Sequence, residues 1–191
     1  PKIALEVLER SNDKDFQAFA YSILSNLKAS NESNQIIKRT RVMDSKGDTF
    51  SMEEVLNEVN AEIKYIDIWA SWCMPCIEAM PYSKTLPEKF KNKNIKTVFI
   101  SIDENREDWM KAVDRLSLPG SLSYCILDSE NIESFSKALQ ISNIPRYLIL
   151  DSKNNLQSLS VPGPNKIDED FLSAFIPKDN MPFPPPPPKS K

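Results

Sequence analysis

Cys73 and Cys76 are two thiols three residues apart, separated by Met74 and Pro75, at a point where the pattern of the chain changes. Upstream, Ile63-Lys64-Tyr65-Ile66-Asp67-Ile68-Trp69 is mostly apolar, β-branched or aromatic, the composition of a buried strand. After Ser71 the apolar residues fall at helical spacing, so Cys73 stands where strand gives way to helix. Cysteines at i and i+3 share one face of a first helical turn, close enough to bridge. Pro75 is tolerated between them because first-turn N–H groups have no partner inside the helix. Those free N–H groups and the positive end of the helix dipole favour a thiolate on Cys73, below the ~8.5 of a free thiol. The thiolate is the species that attacks disulfides.

Asp67 precedes Cys73 by six residues, in a strand that otherwise wants to be apolar. One reading places it at a sheet edge facing water, since charged residues are rarely buried. The other makes it a carboxyl of raised pKa beneath the cysteine pair, taking or relaying the proton when Cys76 attacks a mixed disulfide. Trp69 and Trp72 flank the pair, either as packing or as an apolar rim for a protein substrate.

Composition removes most competing chemistries. The chain has 191 residues, 40% of them hydrophobic, enough for one substantial core. A net charge of −3 gives no reason to invoke nucleic acid or an anionic membrane surface. There is no histidine, which excludes Ser-His-Asp and Cys-His catalysis, HExxH zinc sites and CxxCH haem attachment. Three glycines, Gly47, Gly120 and Gly163, cannot build a Gly-rich phosphate loop. Three cysteines without histidine cannot close a structural zinc site within one chain, although a thiophilic metal on Cys73 and Cys76 alone stays open. No run of eighteen apolar residues is present, and the start at Pro1-Lys2-Ile3 suggests a processed or truncated product.

The elements that must position the pair can be read in order. Residues 2–10 are compatible with helix, and Ser11-Asn12-Asp13 supplies capping chemistry for the next. Phe16, Phe19, Ala20, Ile23, Leu24 and Leu27 recur at three and four, an amphipathic helix packed on the domain or on a partner. Residues 29–35 have loop composition and mark a boundary between an N-terminal helical extension, 1–34, and a domain over 35–176. Ile36 to Met43, a turn at Asp44–Asp48 and Thr49–Ser51 read as a β-hairpin. Met52 to Asn60 reads as a helix opened by a Ser51/Glu54 capping box. After strand 63–69, a helix from Cys73 to about Lys91 is expected to kink near Pro81. Strand Lys96–Ile102, helix Asn105–Leu116 and strand Ser123–Leu127 follow, with Cys125 assigned to packing. Helix Ile132–Leu139 leads into a strand beginning at Ile141 and running to Asp151, with Pro145 near its start and Arg146 of open role. Leu156–Val161 reads as a strand and Asp168–Ile176 as a last helix. Residues 177–191, with five consecutive prolines from Pro184, form a proline-rich disordered or polyproline II tail. Strand, helix, strand, helix and strand in succession indicate an α/β domain with these strands parallel and covered by helices.

Trp-Ala-Ser-Trp-Cys-Met-Pro-Cys, residues 69–76, resembles the active-site motif of the thioredoxin superfamily, and Met80-Pro81 looks like the TlpA/ResA-like thiol–disulfide oxidoreductases. The resemblance implies a thioredoxin-like α/β fold: a central mixed sheet flanked by helices, with an N-terminal β-hairpin, an inserted α/β element and an N-terminal helical extension. It makes Cys73 the nucleophile, Cys76 the resolving cysteine and Asp67 the buried aspartate. It puts a cis-proline at Pro145 and leaves the Ile144 backbone free to pair with a substrate strand; Trp72, Met74 and Pro75 stand beside it as candidates for substrate contact. Many TlpA-like proteins carry asparagine at the position of Asp67 and a glutamate three residues after the second cysteine. Ala79 occupies the latter position here and Glu78 precedes it, so the acid–base role stays open between Asp67 and Glu78. The expected function is protein disulfide exchange, leaning toward reduction, with the Cys73–Cys76 disulfide as the redox centre and no cofactor or metal. Partners are then protein thiols and disulfides and an upstream electron donor, not nucleic acid, with a membrane tether outside this sequence as an option. The location implied is periplasmic or extracytoplasmic. Two alternatives stand beside it: a non-catalytic thioredoxin-fold binding module, and a carrier of copper(I) or another thiophilic metal on the two sulfurs.

Overall fold

The structure is a computed structural model that describes residues 31–173 and residue 175. The amphipathic stretch from Phe16 to Leu27 and the proline tail therefore lie outside the described residues.

Seven strands form one mixed sheet in the order β2-β1-β5-β4-β3-β6-β7: β1 Arg41–Met43, β2 Thr49–Ser51, β3 Ile63–Trp69, β4 Ile95–Ser101, β5 Ser123–Ile126, β6 Arg146–Asp151 and β7 Leu156–Ser158. The strands β3, β4 and β5 run parallel, whereas β6 lies antiparallel to β3 and β1 antiparallel to β5. Every residue of β3 is buried, because β3 is paired on both edges and covered on both faces. That removes the edge-strand reading of Asp67.

Helices cover both faces. Ile66 and Ile68 of β3 pack with Val98, Ile100, Leu148 and Leu150. Over this face lie the helical residues 31–39 (α1), Met52–Glu58 (α2) and Ser129–Ala138 (α5), through Ile37, Met52, Leu56 and Phe135. The opposite face carries Ile63, Tyr65, Phe99 and Tyr147. It is covered by Met74–Lys89 (α3), Arg106–Leu116 (α4) and Glu169–Ser173 (α6), through Cys76, Met80, Leu86, Trp109 and Leu172.

Local chemistry accounts for several boundaries. Asp44 Oδ1 accepts from the backbone N–H of Lys46, Gly47 and Asp48, and Gly47 at φ 100° takes the left-handed conformation of the β1–β2 turn. The capping box forms, with Glu54 accepting from the Ser51 N–H at 2.7 Å and Ser51 Oγ accepting from the Glu54 N–H at 3.3 Å. Pro81 and Pro87 both sit inside α3. Pro87 has no N–H for the carbonyl of Ser83, four residues earlier, and Thr97 Oγ1 on β4 donates to that carbonyl instead, at 2.9 Å.

Other boundaries differ from the sequence expectation. The stretch 29–35 is not loop throughout: residues 31–39 are helical, and β1 begins only at Arg41. Ser33, Ile37 and Thr40 are buried at spacings of four and three. Ser33 Oγ donates to the Ala138 carbonyl, and Asn34 Oδ1 accepts from the Leu156 N–H. Docking, not propensity, holds this polar helix, and it runs across the 34/35 boundary. The strand expected from Ile141 begins at Arg146. Gln140 at φ 53° ends α5 in a Schellman arrangement whose Ile141 N–H donates to Ser136 O, so Ile141 has no N–H to give a ladder. Among the shorter corrections, α3 ends at Lys89, α5 starts at Ser129, β7 ends at Ser158 and α6 is described from Glu169 to Ser173.

Candidate active site

The chain leaves β3 at Trp69, turns through Ala70–Trp72 and enters α3 with Cys73 as its N-cap. Cys73 Sγ accepts from the Cys76 N–H at 3.2 Å, the place a serine or aspartate oxygen takes in ordinary caps. Pro75 lies in the first turn, where its missing N–H costs no helical bond. The two sulfurs are bonded at 2.09 Å, with Cα atoms 5.3 Å apart. Cys73 is 5% exposed and Cys76 2%, so the pair sits under the surface with Cys73 outermost. A thiolate released at Cys73 would face the N–H groups and the dipole of α3, which favour it over the thiol.

The turn is held from β4. Ile102 N–H donates to the Trp69 carbonyl at 3.0 Å. The buried Asp103 carboxylate accepts from the Ser71 N–H at 2.9 Å, from Ser71 Oγ at 2.7 Å and from Ser101 Oγ at 2.6 Å. Three donors on one buried carboxylate compensate its desolvation and fix the residue two positions before Cys73. Neither Ser71 nor Asp103 stands out in the sequence. The available signal is a carboxylate two residues past the end of a buried strand.

Asp67 lies on the α3-covered face of β3 and is 1% exposed. Ser83 Oγ donates to Asp67 Oδ2 at 2.5 Å, while Oδ1 has no hydrogen-bond partner. Burial pushes the Asp67 carboxyl up to about 7, against which the Ser83 hydrogen bond works in the lowering direction. Tyr147 pairs with Asp67 in the β3–β6 register, and Tyr65 stacks on Tyr147 with centroids 5.4 Å apart. Burial, and secondarily the charge of Asp67, raises both phenols, so they are neutral at physiological pH. Glu78, the other acid–base candidate, lies on α3 and is more open to solvent than the fully enclosed Asp67. Ser83 follows Cys76 by seven residues, two turns along one helix face; that spacing, with a carboxylate in need of a partner, is the signal by which it could be found.

Beside Cys73 runs a groove. It is lined by Trp72, Cys73, Met74 and Pro75 together with Ile102, Ile141 and Ile144, and Ser136, Ser142 and Asn143 complete an uncharged lining. Trp72 is 66% exposed and Met74 62%, whereas Trp69 is fully buried and belongs to the core. The Ile144–Pro145 peptide bond is cis. Arg146 donates to the Gln140 carbonyl at 3.2 Å. Cys125 is buried, its Sγ donates to the Asp103 carbonyl at 3.3 Å, and burial pushes its thiol up to about 11. Among the described residues, no group of three or more His, Cys, Asp and Glu side chains is arranged to hold a metal ion.

The chain is similar to several known proteins. ResA, named a thiol-disulfide oxidoreductase, from Oceanobacillus iheyensis is 31% identical over 96 residues, covering 45% of this chain and 46% of that protein. The chain thus spans under half the length of that curated relative. The solution structure of a candidate thiol-disulfide oxidoreductase from Bacteroides vulgatus matches with a TM-score of 0.57 at 30% identity, over 71% of this chain and 83% of that one. A thiol-disulfide oxidoreductase from Bacteroides fragilis matches with a TM-score of 0.51 at 28% identity, over 64% and 88%. The family model described as thioredoxin-like matches residues 61–156, which take in β3, the cysteine turn, α3 and the cis-proline, and this chain belongs to that family.

Proposed function

We propose that this protein is a thiol–disulfide oxidoreductase that exchanges its Cys73–Cys76 dithiol with disulfides of other proteins, in the reducing direction. The observation that carries the reading is the bonded sulfur pair at the N-terminus of α3, opening beside an uncharged groove. In the reduced protein the Cys73 thiolate attacks a substrate disulfide, bonding to one substrate sulfur and releasing the other as a thiolate. Cys76 then gives up its proton and attacks Cys73 Sγ, which breaks the mixed disulfide and frees the second substrate sulfur. Two electrons pass to the substrate, and the Cys73–Cys76 disulfide must be reduced again by an upstream dithiol donor.

Asp67, rather than Glu78, is the group we assign to the Cys76 proton. It is buried on the sheet face that α3 covers, and near neutral pH its carboxyl is divided between acid and base. Trp72, Met74, Pro75 and Ile144 border the groove in which a substrate segment would lie, and Pro145 follows Ile144 through a cis peptide bond. The extracytoplasmic location we assign rests on the TlpA/ResA resemblance; no described helix is long and apolar enough to cross a membrane.

Insulin reduction with dithiothreitol as donor tests the function. The protein accelerates it, Cys73→Ser falls to the rate without protein, and Cys76→Ser accumulates a mixed disulfide on Cys73 detectable by mass spectrometry. An unsubstituted protein no faster than Cys73→Ser replaces this reading with that of a binding module. Equilibration with glutathione tests direction: a potential nearer about −270 mV than about −120 mV fits a reductant, and the opposite reverses it.

A further inference from the structure

We propose that Ser83 is a positioning residue for the proton transfer: its hydroxyl occupies Asp67 Oδ2 and leaves Oδ1 as the one carboxyl oxygen free to take and return the Cys76 proton. The inference rests on the oxidoreductase reading and adds a residue to it. Ser83 is fully buried, and its hydroxyl donates to Asp67 at 2.5 Å. Its own backbone is fixed from a second element, since Pro87 frees the Ser83 carbonyl and Thr97 Oγ1 on β4 takes it at 2.9 Å. A serine two turns along α3 from Cys76 is thereby locked against both the helix and the sheet.

The surroundings leave Ser83 as the polar contact acting on Asp67. Its own strand offers Tyr65, whose hydroxyl is spent on the Pro162 carbonyl, and β6 offers Tyr147; both phenols are held neutral. The β4 residues nearest in register are Phe99, paired with Asp67, and Thr97, whose hydroxyl goes to Ser83 O. Helix α3 contributes Ser83. Lys64 points to the other sheet face, where its Nζ donates to the Ser152 carbonyl. No cation therefore pairs with Asp67 among the described salt bridges.

A donor to a carboxylate favours its ionised form, so the Ser83 hydroxyl makes Asp67 a stronger acid than burial alone allows. As Cys76 sulfur attacks Cys73 Sγ, the Cys76 proton moves to Oδ1, the Cys73–substrate bond breaks, and the substrate sulfur leaves carrying the electron pair. Without Ser83 the carboxyl holds its proton to higher pH and is less available as a base.

The experiment follows the Asp67 carboxyl directly, by carbon-13 NMR titration of the disulfide form in the unsubstituted protein, Ser83→Ala and Ser83→Thr. Alanine is the best helix former and removes one oxygen, so α3 is retained. The midpoint rises by about one pH unit in Ser83→Ala, a tenfold weaker acid, and returns with Ser83→Thr, which keeps the hydroxyl. In single turnover, release of a chromogenic thiol from the mixed disulfide shifts its pH midpoint the same way, while alkylation of Cys73 keeps its own. An Asp67 titration unmoved by Ser83→Ala, with only stability lowered, overturns the role. Failure of the unsubstituted protein to reduce insulin overturns instead the oxidoreductase reading, and is seen without any Ser83 variant.

Discussion

Replacing Asp67 by asparagine isolates the free energy stored in one buried carboxyl. The folded protein holds that carboxyl at about 7 against an ordinary value of 3.8, because burial disfavours its charge. The sign follows from which state binds more protons. Below the unfolded value both states are protonated and nothing is lost. Between the two values the folded state keeps a proton that the unfolded chain has released, so stability falls as pH rises. Above the folded value the loss is complete. At about 1.4 kcal/mol per unit the full span amounts to about 4 kcal/mol, of which about 3 kcal/mol falls between pH 4.5 and 8. The asparagine side chain does not ionise, and it keeps an oxygen to accept from Ser83; the cost of burying its amide hydrogens is the same at both pH values. Other titrating groups cancel between the two proteins. Urea unfolding of both disulfide forms at pH 4.5 and pH 8 should therefore show Asp67→Asn gaining on the unsubstituted protein by about 3 kcal/mol across the interval, a midpoint shift of about 1–3 M with the slope unchanged. A difference between the proteins that is the same at both pH values refutes the buried, proton-retaining carboxyl, and with it the acid–base role drawn from it.

Asp103→Ala strips the acceptor from Ser71 N–H, Ser71 Oγ and Ser101 Oγ, and should cost about 3–5 kcal/mol in urea unfolding; a loss under about 1 kcal/mol would show that the turn holds itself. In the reduced protein at pH 8, iodoacetamide should modify Cys73 first. Cys125, buried and pushed up to about 11, should react at least about 100-fold more slowly than in urea, and equal rates would place its sulfur at the surface.

Much of this protein is legible from local pattern. The strand Ile63–Trp69, the turn around Gly47, the Ser51/Glu54 box and the entry of the cysteine helix depend on residues within a few positions of one another: a run of apolar and β-branched residues, a left-handed glycine, a side chain reaching its own backbone. The sulfur pair is of the same kind, since three residues of one helical turn bring it within bonding reach. The tertiary structure decided what distant neighbours do to a residue. Asp67 has the same spacing to Cys73 whether it faces water or the core, and only strands on both sides of β3 and a helix above it bury the carboxyl. Glu78 and Asp67 are both carboxylates near the pair, and burial alone separates them. Residues 31–35 read as loop because their polar side chains offer little propensity, and 36–39 as the start of a strand, yet hydrogen bonds to Ala138 and Leu156, over a hundred positions away, hold 31–39 as a helix. Desolvation and long-range hydrogen bonds belong to the assembled fold. Ser83 and Asp67 lie 16 positions apart and Ser71 and Asp103 lie 32 apart, beyond the reach of a local pattern, so the chemistry was readable from the cysteines while the hydrogen bonds of Ser83 and Asp103 were decided by the fold.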